Sequence, residues 1–183
     1  MKMIAHVIGF SVAFLGVLGL PFEKTVKIHR FVNCPQHRNS PMLVDGTQFT
    51  QNRRVYYIGT RIIVKRDIQP NVKLVLQFER CKSKESLDSC EPYQDVTIKD
   101  ICRLAGEKSK PWTGFVNNME PALNCPYKKG VYTCKNATID GGALSVLPIS
   151  GWFWKVNILL LESEANTSNP AMCIYAEGEI VNV

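Results

Sequence analysis

Histidine is scarce in this 183-residue chain: of three, only His29 and His37 follow the apolar N-terminal segment. There is no G-x-S-x-G elbow to present a serine nucleophile, and no phosphate loop or dinucleotide glycine pattern. No two cysteines stand as C-x-x-C, the spacing of structural zinc sites, so no metal is expected. Glu162 and Glu164 lie close together and Asp95 and Asp100 flank one short segment, but carboxylates in such places read as solvated charges. The chain is therefore read as non-enzymatic, without catalytic residues or cofactor. Nothing beyond the first residues is long and uncharged enough to reach the ~20 residues of a bilayer-spanning helix.

The start, MKMIAHVIGFSVAFLGVLG, combines one early lysine, an apolar run, and Val17 and Gly19 where a signal peptidase reads small residues. Residues 1–19 are expected to be a secretory signal and residues 20–183 a single domain, which at this length buries roughly 70% of its unfolded surface. Removing Lys2 with the signal leaves a net charge of about +5. Arg53, Arg54, Arg61, Lys65 and Arg66 interleave with Tyr56, Tyr57 and Ile62, a pattern that mimics a nucleic-acid strip. In a secreted protein it reads as the solvated face of a strand, with mild attraction to anionic lipid surfaces and no nucleic-acid partner.

Seven cysteines in such a chain imply three disulfides and one odd thiol, and spacing alone leaves on the order of a hundred arrangements open. Asn136-Ala-Thr and Asn166-Thr-Ser are glycosylation sequons suited to exposed positions. If Asn136 carries glycan, the period of a strand puts Cys134 on the same outward face, where the thiol would be reachable.

Alternation predicts the strands. In GWFWKVNILLLE, Trp152, Trp154, Val156, Ile158 and Leu160 share a wholly apolar face, while Phe153, Lys155, Asn157, Leu159 and Leu161 form a mixed one. Val26, Ile28 and Phe31 mark a first strand ending at Cys34. Tyr56, Ile58, Ile62 and Val64 line one face of a second, with a bulge or a close approach expected at Gly59. Val72, Leu74, Leu76 and Phe78 point inward from a third, and Asp67 to Asn71 reads as a turn joining these two into a hairpin. VTIKDICRLAG is the one expected helix, with Val96, Ile98, Ile101, Cys102 and Leu104 at helical spacing. Two apolar loops complete the pattern, one with Trp112, Phe115, Met119 and Leu123, the other with Leu147 and Ile149. The expected fold is all-β: an antiparallel immunoglobulin-like sandwich of about seven to eight short strands with one brief helix.

HRFVNC near the mature N-terminus, the pair Cys81 and Cys90, KDIC, the phrase CPYKKGVY, an apolar loop with LP, GWFWKVNILL and the closing MCIYAEGEI occur in an order that resembles ganglioside activators, and the KPW segment after KDIC resembles the insect branch. The chain resembles that branch of the ML lipid-recognition superfamily over most of its length, and the insect chemosensory protein B relatives in particular. The resemblance implies disulfides Cys34–Cys173, Cys81–Cys90 and Cys102–Cys125. It leaves Cys134 without a counterpart, as a free thiol, and supplies no pair here for a fourth bridge of the mammalian activator.

The residues alone favour a packed core over a cavity; the resemblance favours a cup that admits acyl chains. On that reading Ile58, Ile62, Leu74, Leu76, Phe78, Trp154, Val156 and Ile158 line the lipid site, with Trp112, Phe115, Leu147 and Trp152 at its mouth. The implied function is a secreted carrier of an acyl chain, glycolipid or hydrocarbon that touches membranes transiently. In the insect branch this serves contact chemosensation, with a receptor or channel as partner. The alternatives are a lysosomal activator presenting glycolipid to a hydrolase, and an extracellular interaction protein with a filled core.

Overall fold

The computed structural model describes residues 24–141, 150–162 and 169–182. The expected signal sequence, Leu147, Ile149 and Asn166 lie outside the described residues. Two antiparallel sheets carry the fold. The larger runs β1 (Lys24–Asn33), β10 (Met172–Asn182), β9 (Phe153–Glu162), β4 (Val72–Cys81), with short β5 (Glu91–Pro92) and β6 (Val96–Ile98) both pairing with β4. The smaller runs β2 (Met42–Asn52), β3 (Val55–Val64), β8 (Gly130–Ala137), β7 (Met119–Glu120). This is the expected all-β sandwich, with ten strands among the described residues, two single α-helical turns, α1 (Ile101–Leu104) and α2 (Thr113–Val116), and two 3-10 turns at Pro35–His37 and Leu87–Ser89.

Between the sheets the inward residues of the alternating strands meet in one core that includes Phe31, Met42, Val44, Ile58, Ile62 and Leu160. Burial of such side chains contributes roughly 1.5–3 kcal/mol each against chain entropy. The buried hydroxyls are satisfied: Ser40 donates to the Pro170 carbonyl, and Thr60 to that of Asp45. Backbone also packs on backbone where glycine permits it. At Gly141, next to the Thr25–Asp140 bridge, a Cβ would stand 2.4 Å from the Lys24 carbonyl oxygen, and at Gly114 one would stand 2.6 Å from that of Thr138.

Several expectations are corrected. β3 and β4 do not form a hairpin; they belong to different sheets. Within the supposed turn Ile68 is fully buried and its N–H donates to the Tyr127 carbonyl, so this segment crosses between sheets instead of reversing. The hairpin partner of β3 is β2, which alternation did not reveal because Asp45, Gly46 and a run of Gln and Thr interrupt it. That strand is an edge strand with a register shift between Asp45 and Gln48, and seven of its eleven residues are exposed. The expected helix is divided: Val96 and Ile98 belong to a short strand and pair with Leu76 and Leu74, and after Asp100 at φ 54° only Ile101–Leu104 forms a helical turn. A second turn, α2, follows Trp112 inside the expected loop.

The mixed face of β9 is not a solvent face. Leu159 and Leu161 are buried with Val75, Cys34 and Cys173 in a second cluster on the outer side of the larger sheet. Cys134 also points opposite to expectation. The β3–β8 register slips between Ile58–Ala137 and Thr60–Cys134; the extra residue is on β8, where Asn136 takes φ 52°, and Gly59 lies opposite the bulge instead of forming it. That bulge breaks the two-residue period, so Cys134 is buried while Lys135 and Asn136 are both exposed.

Candidate functional site

The register of β4 on β9 assembles the expected lining. Leu74 faces Leu160, Leu76 faces Ile158, Phe78 faces Val156 and Arg80 faces Trp154, so their side chains share the inner face of the larger sheet. The ends of this patch are closed, with Leu160 and Trp154 buried. Its middle is not: Leu76, Phe78, Val156 and Ile158 are half-buried. The inner face of the larger sheet is thus apolar along this stretch and only half-covered at its centre. Ile58 and Ile62 approach from the other sheet but are 3% exposed and sealed into the core.

Aromatic rings close one end of the patch. Trp154 meets Phe78 edge-on with centroids 6.0 Å apart, and Tyr93 edge-on at 5.2 Å. The Arg80 guanidinium lies 4.8 Å from the Trp152 ring centroid and 5.3 Å from that of Tyr93, and it is ion-paired with Glu91. Stacking suits a planar cation, and each such contact contributes on the order of 1 kcal/mol. Sequence reasoning missed Arg80, Tyr93 and Glu91. Arg80 continues the even-numbered face of Phe78, a legible signal; Tyr93 follows a two-residue strand too short to show a period.

The other expected mouth residues sit differently. Trp112 and Phe115 are half-buried and pack against the core, with Phe115 and Phe31 centroids 6.1 Å apart. The indole Nε1 of Trp112 is buried without a hydrogen-bond partner among the described residues. Along the open edge between β1 and the β2–β3 hairpin lies a slot of about 20 Å³, lined by Val26, Ile28, Phe49, Tyr56, Ile58 and Ile139. That is room for a water molecule, not for an acyl chain.

The structure forms the bridges Cys34–Cys173, Cys81–Cys90 and Cys102–Cys125, and leaves Cys134 free. Burial pushes the Cys134 thiol up to about 11, and its Sγ–H donates to the Phe115 carbonyl at 3.6 Å. Such a thiol is inert rather than nucleophilic. His29 is held by Glu179, with Nε2 2.9 Å from the carboxylate. Among the described residues, no group of three or more His, Cys, Asp or Glu could hold a metal, and no helix is long and apolar enough to cross a membrane.

No protein-family model matches the chain, and no curated protein matches it in sequence. The class is therefore set by architecture: a three-disulfide, two-sheet antiparallel sandwich with an apolar patch on the inner face of its larger sheet.

Proposed function

We propose that this chain is a secreted, non-enzymatic carrier of a hydrophobic ligand, an acyl chain, glycolipid or hydrocarbon, on the plan of the ganglioside activator-like lipid-recognition proteins it resembles. The observation that carries the reading is the half-buried state of Leu76, Phe78, Val156 and Ile158 on an inner face. Outside this patch the leucines of β9 are closed, even on the mixed side, where Leu159 and Leu161 are 3% and 1% exposed. A fold that buries its outer leucines and leaves its inner apolar residues half-covered has surface for a ligand to cover. Each methylene taken from water contributes roughly 0.8 kcal/mol, so a ten-carbon chain supplies several kcal/mol before ordering costs. Three disulfides suit an oxidising, extracellular compartment. Contact chemosensation, with a receptor or channel as partner, is the role the insect resemblance suggests; presentation of glycolipid to a lysosomal hydrolase is the other.

A second reading, an extracellular interaction protein with a filled core, is favoured by the sealed Ile58 and Ile62 and by the small size of the edge slot. Native mass spectrometry of protein secreted from insect cells separates the two. A carrier emerges with copurified lipid, lost on Val156→Trp, which fills the patch. A bare glycoprotein mass, unchanged after incubation with fatty acids and glycolipids, rejects the carrier.

A further inference from the structure

We propose that the tip of the β2–β3 hairpin docks the protein onto anionic lipid bilayers. The hairpin closes with a two-residue turn, Arg53-Arg54, between the paired residues Asn52 and Val55. Arg53 takes φ 54°, a conformation that glycine or asparagine adopts more readily. A sequence that places a long cation where local preference asks for a small residue marks the position as functional.

Charge points the same way. Arg30, Arg61, Arg66, Arg80 and Arg103 are each paired with a carboxylate, while Arg38, exposed beside the short turn after Cys34, is a single cation with no ion pair among the described residues. Arg53 and Arg54 are exposed, and among the described residues neither has an acidic partner. The one carboxylate between Met42 and Val64 is Asp45, at the far end of the hairpin and occupied by Arg61. The tip is thus a local excess of two uncompensated cations. Two large apolar side chains are exposed along the same hairpin, one on each face: Val55 at 39%, next to the turn, and Phe49 at 40%, paired with Ile58 three rungs back.

Guanidinium groups flanked by exposed apolar side chains match the headgroup region of a bilayer, where phosphates meet acyl chains. A soluble polyanion would use the arginines but gain nothing from Phe49. The inference goes beyond the carrier reading and does not need it, since a protein with a filled core would dock through the same tip.

The test is cosedimentation of the full chain with vesicles of phosphatidylcholine alone or mixed with phosphatidylserine. Binding is expected only to the mixed vesicles and weakens as salt is raised. The double variant Arg53→Asn, Arg54→Gln lowers the partition coefficient on the order of thirtyfold while the melting temperature holds. Phe49→Ser lowers it several-fold. Equal binding to neutral vesicles, or wild-type binding by the arginine variant, overturns the proposal. So does wild-type binding by Phe49→Ser together with full competition by heparin, which would make the tip a site for soluble polyanions. Because the arginine variant alters only an exposed turn, it decides the matter even if Phe49→Ser folds poorly.

Discussion

The side-chain amide of Asn33 pairs with the backbone of Val44 through both of its atoms: Nδ2 donates to the Val44 carbonyl at 2.8 Å, and Oδ1 accepts the Val44 N–H at 2.9 Å. Asn33 ends β1 in one sheet and Val44 lies on β2 in the other, so one amide completes the backbone pairing of an edge strand and joins the two layers. Asn33→Ala leaves a donor and an acceptor of Val44 without partners. The expected loss is about 2–3 kcal/mol, or a melting temperature lower by roughly 4–10 °C for a domain of this size. A melt within a degree of wild type would show that water replaces the amide without cost.

The bridges differ in the loops they close. Cys34–Cys173 spans a sequence separation of 139 and Cys81–Cys90 one of 9. The chain-entropy model gives about 5 kcal/mol for the first and about 2–3 kcal/mol for the second. Cys34 and Cys173 also belong to the second cluster, beside Leu159 and Leu161. Replacing both by alanine should lower the melting temperature well beyond the Cys81/Cys90 double replacement; equal losses defeat the claim.

For Cys134, a thiol raised to about 11 is ionised to roughly one part in a thousand at pH 8, and its sulfur is out of reach. Native protein should give no reaction with a thiol reagent at that pH. Denatured but unreduced protein should give one label per chain, mapped to Cys134. Rapid labelling of the native form would mean that β8 opens readily.

Trp112 offers a contrast between two substitutions. Trp112→Ala removes a ring packed on the core, and the expected loss is about 2–3 kcal/mol. Trp112→Phe keeps most of the apolar ring and deletes the buried indole N–H that has no partner among the described residues, so its melting temperature should match or exceed that of wild type. A stable alanine variant would return Trp112 to the rim position that its sequence context suggests.

Acid should weaken the fold through identifiable carboxylates. Hydrogen bonds from Arg66 hold Glu162 below its ordinary value, and the Lys129 N–H and the Lys128 ammonium do the same for Asp67. At Glu179 burial pulls upward, but His29 and Lys27 outweigh it and the net shift is down. Depressed folded values mean that the unfolded chain binds more protons as pH falls. The stabilisation is full above the ordinary carboxylate range and drains away below it, towards the folded values. The melting temperature should fall below about pH 4.5, the ordinary glutamate value, and Glu162→Gln should flatten that fall. The effect is modest, because these groups are largely solvated.

What could be read in advance divides along physical lines. The faces of β4 and β9 were legible because Leu74, Leu76, Phe78, Val156 and Ile158 repeat every second residue, and their sharing of one site follows from strand pairing. The sheet membership of β3 and β4 was not legible: a crossover and a hairpin can both follow Arg66-Asp67, and the deciding contact, Ile68 with Tyr127, is distant in sequence. The direction of Cys134 does not follow from strand parity, because one bulge at Asn136 reverses every inference of parity across it. The disulfide pairs came from resemblance; spacing could not choose them. Arg80 between Tyr93 and Trp152 needs three segments in space at once, which no single-strand pattern contains.

The tight seating of Gly141 against Lys24 and of Gly114 against Thr138 bears on how natural variation in this protein is to be read. A saturation mutagenesis map would show both positions as intolerant as any binding residue, although neither has a side chain to offer a ligand. Alanine there forces backbone away from backbone, so the damage would register as lost expression, not as altered specificity. Ranking positions by intolerance alone would therefore place two glycines among the apparent functional residues, and dividing each score by protein abundance would remove them.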